Sequence, residues 1–252
     1  MRVRRSFRLA EIERVLMNKP KIVIATTKSW NLENARRLQQ DYAGRIDTEI
    51  VSEKAHLTAQ YLQRVDPHWV FLPHWSWIIP DEIILRWQCV IFHTSRLPWG
   101  RGGSPIQNQI VRGVYESEVC ALRAVAEVDA GPVYARRKID LSKGTVEEIL
   151  MQVSEFVFDM IPTIALDQPS PVAQNGDLVS FKRRKPRESQ LPEQAKSLRR
   201  VYDHIRMLDG EGYPLAYLEY GNQTVELRDA RLHPDGVVTG TFRLRIDDRK
   251  GE

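Results

Sequence analysis

The chain has 252 residues, of which 42% are hydrophobic and 28% are charged, and its formal net charge is +4. This length suits one domain, or a large domain with a small appendage, and the apolar content is enough for a sizeable core. No apolar run approaches the 18 residues of a membrane span, which argues against an integral membrane protein. The basic start of the chain lacks the apolar segment of a secretory signal. Cys89 and Cys120 lie in apolar runs, which predicts buried thiols rather than a disulfide. We therefore expect a cytoplasmic protein, whose mild positive charge suits polyanionic partners such as nucleotides or RNA.

The first part of the chain alternates between two kinds of pattern. Short apolar runs predict strands at 21–25, 45–51, 68–72 and 89–92. Helical periodicity predicts helices at 6–17, 31–42, 54–65 and 81–86, and another that begins near residue 106. Strands that alternate with helices indicate βαβ units with right-handed crossovers. The predicted fold class is therefore α/β, with a Rossmann-like, mostly parallel sheet and flanking helices.

The second part of the chain changes character. It predicts strands at 118–128 and 132–140, then a helix at 145–161. Prolines, an asparagine and a glycine between 167 and 177 are typical of a linker. Beyond it we predict a strand at 180–185, a helix at 193–208, and strands at 216–220, 224–232 and 237–244. These patterns predict three parts: an N-terminal helix packed on the core (1–18), a core domain (19–166), and a linker with a small C-terminal region of a helix plus antiparallel strands (167–252).

The most informative segment runs from residue 90 to residue 113. An apolar run ends on His93 and is followed by a loop, rich in glycine and proline, that we expect to be irregular. In an open α/β sheet, ligands bind beyond the carboxyl ends of the strands. His93 is therefore a candidate active-site group. Asp129, in the turn Val-Asp-Ala-Gly, is a second candidate.

Several motifs of the chain resemble the 10-formyltetrahydrofolate-dependent formyltransferases. That family's catalytic loop is similar to four features of this chain: His93, Leu97-Pro98-Trp99, Arg101-Gly102 and Pro105-Ile106. The turn that contains Asp129 is similar to the family's aspartate turn. The segment Phe181–Pro186 resembles an element that follows the transferase domain in the sugar N-formyltransferases of the family. The resemblance covers about residues 20 to 232 and implies that the core domain is the catalytic transferase domain.

The resemblance implies an enzyme of one-carbon metabolism that moves a formyl group from N10-formyltetrahydrofolate, its cosubstrate, to a primary amine. The chain length, the Arg-Arg-x-Pro element and the short C-terminal region favour the amine of a nucleotide-linked amino-deoxy sugar. The alternative is methionyl-tRNA formyltransferase, which the basic run 182–187 permits. The family also implies a homodimer through the C-terminal strands.

The same resemblance assigns roles to individual residues. His93 and Asp129 would handle the protons that leave the attacking amine and reach the departing N10. The residues implied to bind the folate are Leu72, Trp75, Trp77, Ile78, Asp129 and Gly131, although an ordinary buried aromatic cluster competes for the two tryptophans. The residues implied to contact the acceptor are Thr94, Ser95, Arg101, Gly102, Gly103, Gln107 and Asn108.

Two further predictions concern charged ligands. Lys28 and Ser29 stand where a helix is expected to begin, and Arg183 and Arg184 lie in the basic run, so all four are candidates to bind phosphate. Helix capping, for the first pair, and a solvated basic edge, for the second, compete with that role. The cysteines and histidines have no spacing suited to zinc, so we expect no metal.

One position departs from the family pattern. The family has an asparagine two residues before its histidine, and this chain has Ile91 there. That amide is thought to stabilise the oxyanion of the tetrahedral intermediate, which an isoleucine cannot do. Another donor therefore substitutes, with Thr94, Ser95, Gln107, Asn108 and the backbone of Gly102 and Gly103 as candidates, or the chain is a homologue with weak or altered activity.

Overall fold

The computed structural model describes residues 19–246, so the helix predicted at 6–17 and the proposed first part of the chain lie outside the described residues. The chain forms two compact units. The first comprises residues 19–93, Val119–Arg137 and Ser154–Asn175. The second comprises Thr94–Glu118, Lys138–Val153 and residues 176–246. The proposed division of the chain into parts at residues 19–166 and 167–252 stays a prediction.

A six-stranded sheet forms most of the framework. Its strands are β1 (Lys21–Ala25), β2 (Asp47–Val51), β3 (Trp69–Leu72), β4 (Cys89–Thr94), β6 (Glu116–Arg123) and β7 (Val133–Asp140). Their order is β2-β1-β3-β4-β6-β7, and the pairs β1–β2, β1–β3 and β3–β4 are parallel. The predicted α/β class with a mostly parallel sheet is therefore confirmed.

The central strands form because both of their faces are covered. Residues 22–25 of β1 and 70–72 of β3 are at most 1% exposed, which explains their unbroken apolar sequences. Both cysteines are buried in strands of this sheet, Cys89 in β4 and Cys120 in β6, and are not joined in a disulfide.

The helices are α1 (Ser29–Asp41), α2 (Ala59–Val65), α3 (Asp81–Ile84), α4 (Pro105–Ile110), α5 (Val146–Asp167) and α6 (Leu198–Arg206). The prediction of a single helix at 54–65 is wrong, because the chain makes a short 3-10 turn at Lys54–His56 before α2 begins. Thr58 has an extended backbone there, and its side chain accepts a hydrogen bond from the Tyr61 backbone N–H. A residue that caps a helix in this way cannot also lie inside one.

The glycine-rich loop is also more regular than we predicted. Residues Trp99–Gly102 form strand β5, which pairs in parallel with strand β8 (Val179–Phe181). The prediction of an irregular loop is wrong because a strand of four residues gains its hydrogen bonds from a partner far along the chain, which local patterning does not reveal. The observed strand β8 is shorter than the predicted strand at 180–185, because it ends at Phe181.

Helix α5 is longer than the predicted 145–161 and ends at Asp167. Among the described residues it is the helix that satisfies the length and composition of a membrane span. About 61% of its most apolar window is buried inside the protein, however, as is usual for a core helix. Its Ser154 accepts a hydrogen bond from Asn34 and donates one to Asn31, which ties α5 to α1.

The C-terminal region contains α6 and a second sheet. Strands β9 (Ala216–Tyr220), β10 (Gln223–Leu232) and β11 (Val238–Ile246) are antiparallel, in the order β11-β10-β9. The observed helix is shorter than the predicted 193–208 because Ser197 caps it. Arg206, fully buried, pairs with Asp203 and donates to the carbonyl of Leu141, which anchors α6.

Candidate active site

The parallel strands of the first unit bring several predicted site residues to one edge of the sheet. Because β1, β3 and β4 run in the same direction, their carboxyl ends meet at the same edge. Lys28 follows β1, Trp75 and Trp77 follow β3, and His93 is the penultimate residue of β4. This edge is where ligands bind in open α/β sheets.

The structure brings His93 and Asp129 together. Their side chains are 7% and 11% exposed, and 3.3 Å separates Nδ1 of His93 from Oδ2 of Asp129. In a neutral ring, this interaction places the proton on Nδ1 and the lone pair on Nε2. A buried carboxylate that orients an imidazole in this way is suited to general acid–base chemistry.

Ile91 lies two residues before His93 on the same strand. Alternate residues of a strand share a face, so Ile91 and His93 point to the same side of the sheet. Ile91 is paired with Leu72 of β3 and packs against the hydrophobic core. The position of the family's asparagine is therefore held by an aliphatic side chain in a regular stretch of strand.

Asp129 is held in a tight turn between β6 and β7. Its φ is +54°, a left-handed conformation that aspartate tolerates better than most residues. A Cβ at Gly131 would collide with the carbonyl oxygen of Arg123, so the turn requires glycine at that position.

A residue that the sequence analysis missed binds this turn. The side-chain amide of Gln174 donates to the carbonyl oxygens of Asp129 and Gly131, at 2.7 and 2.8 Å. Gln174 lies in a segment whose composition indicates only a linker. The one local signal was a long polar side chain directly after an apolar Pro-Val-Ala stretch.

The predicted folate-binding residues after β3 have different environments. Trp75 and Trp77 meet edge to face, with ring centroids 4.9 Å apart, and Lys54 lies 5.6 Å from the centroid of the Trp77 ring. Ile78 is 89% exposed. Leu72 is 1% exposed and belongs to the hydrophobic core, so its side chain cannot touch a ligand without a rearrangement. Contact of the other three side chains with a folate stays a prediction.

The end of β1 carries a positive charge. Lys28 is the N-cap of α1 with an extended backbone, and Ser29 is the first helical residue and is exposed. Asn31, where the predicted helix begins, lies inside the observed helix, and its side-chain amide donates a hydrogen bond to the Thr26 hydroxyl. Burial, helped by the nearby charge of Lys28, lowers the pKa of His74 to about 4. His74 is therefore neutral at physiological pH, and phosphate binding by Lys28 and Ser29 stays a prediction.

The predicted acceptor-contacting residues are found in the second unit, where β5 and β8 hold the loop. A Cβ on Gly102 would collide with the Phe181 carbonyl, and one on Gly103 would lie 2.5 Å from Cα of Arg183. Nδ2 of Asn108 donates to the carbonyls of Gly103 and Lys182, each at 2.9 Å. Both amide hydrogens of Asn108 are thus used inside this unit, which argues against Asn108 as the substitute oxyanion donor.

The remaining predicted residues of this unit are mostly buried. Thr94, Ser95 and Gln107 are at most 6% exposed, and the carbonyl of Thr94 accepts a hydrogen bond from Gln109. Of the charged candidates, Arg101 is half-buried, Arg183 is exposed and the side chain of Arg184 is 14% exposed. Their contact with an acceptor or a phosphate stays a prediction. Within residues 19–246, no three His, Cys, Asp or Glu side chains are grouped so that they could hold a metal ion.

Comparison with known proteins decides the family. The family model described as formyl transferase matches residues 5–163. The chain belongs to the formyl transferase family. A second model, the C-terminal domain of methionyl-tRNA formyltransferase, matches residues 186–245. The predicted family is therefore confirmed.

Individual relatives agree with one branch of this family. A solved structure of methionyl-tRNA formyltransferase from Clostridium thermocellum is 40% identical, with a TM-score of 0.87, and the match covers 90% of this chain and 100% of that one. Curated methionyl-tRNA formyltransferases from Malacoplasma penetrans and Bacillus thuringiensis are 33% and 26% identical over 111 and 170 residues. These matches cover 41% and 65% of this chain. The chain spans only 35% and 54% of the length of these two relatives.

The predicted sugar acceptor is wrong. A sugar N-formyltransferase from Shewanella is 14% identical with a TM-score of 0.64, and the match covers 90% of this chain and 98% of that one, a likeness that shows the fold alone. The predicted nucleotide-linked sugar partner is therefore also wrong, because the relatives with 33% and 40% sequence identity are methionyl-tRNA formyltransferases. The Arg-Arg-x-Pro element and the short C-terminal region misled the prediction, since the 40% identical relative is matched over its whole length by this chain.

Proposed function

We propose that the protein transfers the formyl group of N10-formyltetrahydrofolate to the α-amino group of methionyl-tRNA, in the cytoplasm. The observation that carries this proposal is the buried His93–Asp129 pair in a chain 40% identical to a methionyl-tRNA formyltransferase. The edge-to-face Trp75–Trp77 pair offers an apolar surface for the pterin ring. A relative with the same fold, HypX from Aquifex aeolicus, was solved in complex with tetrahydrofolic acid.

The proposed reaction needs two proton transfers. The methionyl amine attacks the formyl carbon, and the tetrahedral intermediate then expels N10 of the folate. Nε2 of His93 accepts the proton that the attacking nitrogen loses and returns it to N10. The Asp129 carboxylate keeps the ring in the required tautomer and stabilises the imidazolium while it carries that proton.

The basic run of the second unit supports an RNA partner. Lys182, Arg183, Lys185 and Arg187 are exposed, and the Asn108 amide holds the backbone at the start of this run. Exposed arginines and lysines bind nucleic acid through phosphate contacts that release counterions. Binding of tRNA should therefore weaken steeply as salt rises, whereas binding of the folate should change little.

A formylation assay tests the proposal. The protein is mixed with N10-formyltetrahydrofolate and charged initiator tRNA, and formylmethionyl-tRNA is measured, with aminoacylated elongator tRNA and nucleotide-linked amino sugars as comparison acceptors. His93→Asn and Asp129→Asn should each lower kcat by about 10²- to 10⁴-fold. The matched controls His56→Asn and Asp159→Asn, at exposed positions of the same unit, should keep full activity. No formylation of the initiator tRNA at low salt would refute the proposed acceptor.

A second candidate function follows from Ile91. We infer that a homologue without the asparagine amide could bind the formyl-folate yet transfer the formyl group weakly or process it differently. The variant Ile91→Asn separates the two cases. A large gain in formyl transfer supports an impaired natural chain, whereas a loss supports a pocket in which another donor already stabilises the oxyanion.

A further inference from the structure

The Asp129 turn has an unusual support. Asp129 adopts a positive φ, and its carboxylate must nevertheless point at Nδ1 of His93. On one side, Gly131 lies directly against the Arg123 carbonyl at the end of β6. On the other side, the two carbonyls of the turn, those of Asp129 and Gly131, converge on a single nitrogen, Nε2 of Gln174.

This contact is long-range in sequence and is itself anchored. Gln174 lies 45 residues after Asp129. Just before it, Val172 forms a two-hydrogen-bond antiparallel bridge with Val133, the first residue of β7, with N···O distances of 2.8 and 2.9 Å. The segment that carries Gln174 is thereby attached to the strand that begins after the turn. All of these residues belong to the first unit.

We propose that Gln174 is a positioning residue, whose side-chain amide holds the Asp129 turn in the conformation that places the carboxylate on His93. This inference rests on the proposed role of the His93–Asp129 pair. A primary amide has two N–H groups at a fixed angle, so it can bind two converging carbonyls where a hydroxyl would bind one. With both donors engaged, the backbone of Asp129 has little freedom to rotate the carboxylate away from the imidazole.

The proposal predicts a kinetic signature. Gln174→Ala should lower kcat for formylation of methionyl-tRNA by roughly 10- to 100-fold, because small displacements of a catalytic group are costly. KM for each substrate should change by less than about threefold, since Gln174 acts on the acid–base pair.

Three further variants serve as comparisons. Gln174→Glu keeps the shape of the side chain but turns oxygens toward the two carbonyls, so its kcat should fall at least as far as that of Gln174→Ala. Gln174→Asn keeps the donors on a shorter arm and should retain intermediate activity. Asn175→Ala, the matched exposed control, should match wild type.

A double-mutant cycle separates positioning from general support of the fold. If Gln174 acts through Asp129, then Gln174→Ala should change kcat by less than about twofold in an Asp129→Asn background, measured in single turnovers. A purely structural role would multiply the two losses. The melting temperature of each variant, measured in parallel, shows whether it is folded at the assay temperature.

A spectroscopic measurement makes the test independent of activity. In protein labelled with ¹⁵N-histidine, the His93 ring signals, assigned by their absence in His93→Asn, should shift in Gln174→Ala in the same direction as in Asp129→Asn. Unchanged ring signals together with a kcat within twofold of wild type would overturn the proposal. If wild-type protein formylates no acceptor, the proposed function fails, and the ring signals alone then decide whether Gln174 positions Asp129.

Discussion

The central parallel strands are almost completely buried, whereas the outer strand of the C-terminal sheet is almost completely exposed. In β1 and β3, four of five and all four residues are buried, and Phe71 is completely inaccessible. In β11, eight of the nine residues are exposed, among them Phe242 at 69%. Strands of the first kind are held by burial on both faces, and strands of the second kind mainly by their hydrogen-bonded neighbours. The difference indicates that the buried sheet can hold the His93–Asp129 pair in a fixed geometry, whereas the C-terminal sheet can tolerate changes on its surface.

The same substitution in the two sheets should give the largest contrast. Phe71→Ala should lower the free energy of unfolding by about 3 to 5 kcal/mol, because it removes a buried ring that stacks near Trp69 and Phe92. Phe242→Ala should change it by less than about 0.5 kcal/mol. Urea unfolding of both variants measures the difference. Equal losses would mean that the C-terminal sheet is covered in solution by a surface such as another chain.

Acid should affect the two regions differently. Burial holds the pKa of His74 at about 4, against 6.5 in the unfolded chain, so the unfolded state binds more protons between these values. The contribution of His74 to the free energy of unfolding is therefore fully present above pH 6.5. As the pH drops toward 4, the free energy of unfolding falls by about 2 to 3 kcal/mol for this reason. In His74→Gln, this part of the acid sensitivity should disappear from unfolding curves taken between pH 7 and pH 4. The control His233→Gln, at a half-buried position of the C-terminal region, should keep the wild-type dependence.

The smallest effect is expected for an ion pair on the C-terminal sheet. Arg245 and Glu226 lie 3.1 Å apart on neighbouring strands, with side chains 60% and 20% exposed. Because water and salt screen such pairs, Glu226→Gln should change the free energy of unfolding by less than about 0.5 kcal/mol. The midpoint of thermal unfolding, measured at low and high salt, tests this. A loss of several kcal/mol would contradict the account of this sheet as a tolerant surface.

The sequence predicted the buried strands better than their surroundings. The bounds of β1 were predicted correctly, since an apolar run closed by threonines and a lysine has no competing structure. The helix at 54–65 failed because the cap formed by Thr58 depends on one side-chain hydrogen bond. Strand β5 was missed because only its pairing with β8 makes it a strand.

The candidate site shows the same limit. His93 and Asp129 could be proposed from their motifs, and the structure brings their side chains together. Gln174 could not, because its role depends on two backbone carbonyls more than 40 residues away. The acceptor was predicted wrongly from chain length and one short motif, which describe neither the family branch nor a binding surface.

The close approach of Gly103 to Arg183 has a consequence for how this chain can evolve. Any side chain at position 103 would enter the space of the Arg183 backbone, at 2.5 Å from Cα. A saturation library at position 103 should therefore return almost only glycine among active clones. In a second library that also varies residues 181–184, active clones without glycine at 103 should carry a compensating change in that segment. The loop and the basic run are therefore expected to change together in evolution, although 80 positions separate Gly103 from Arg183.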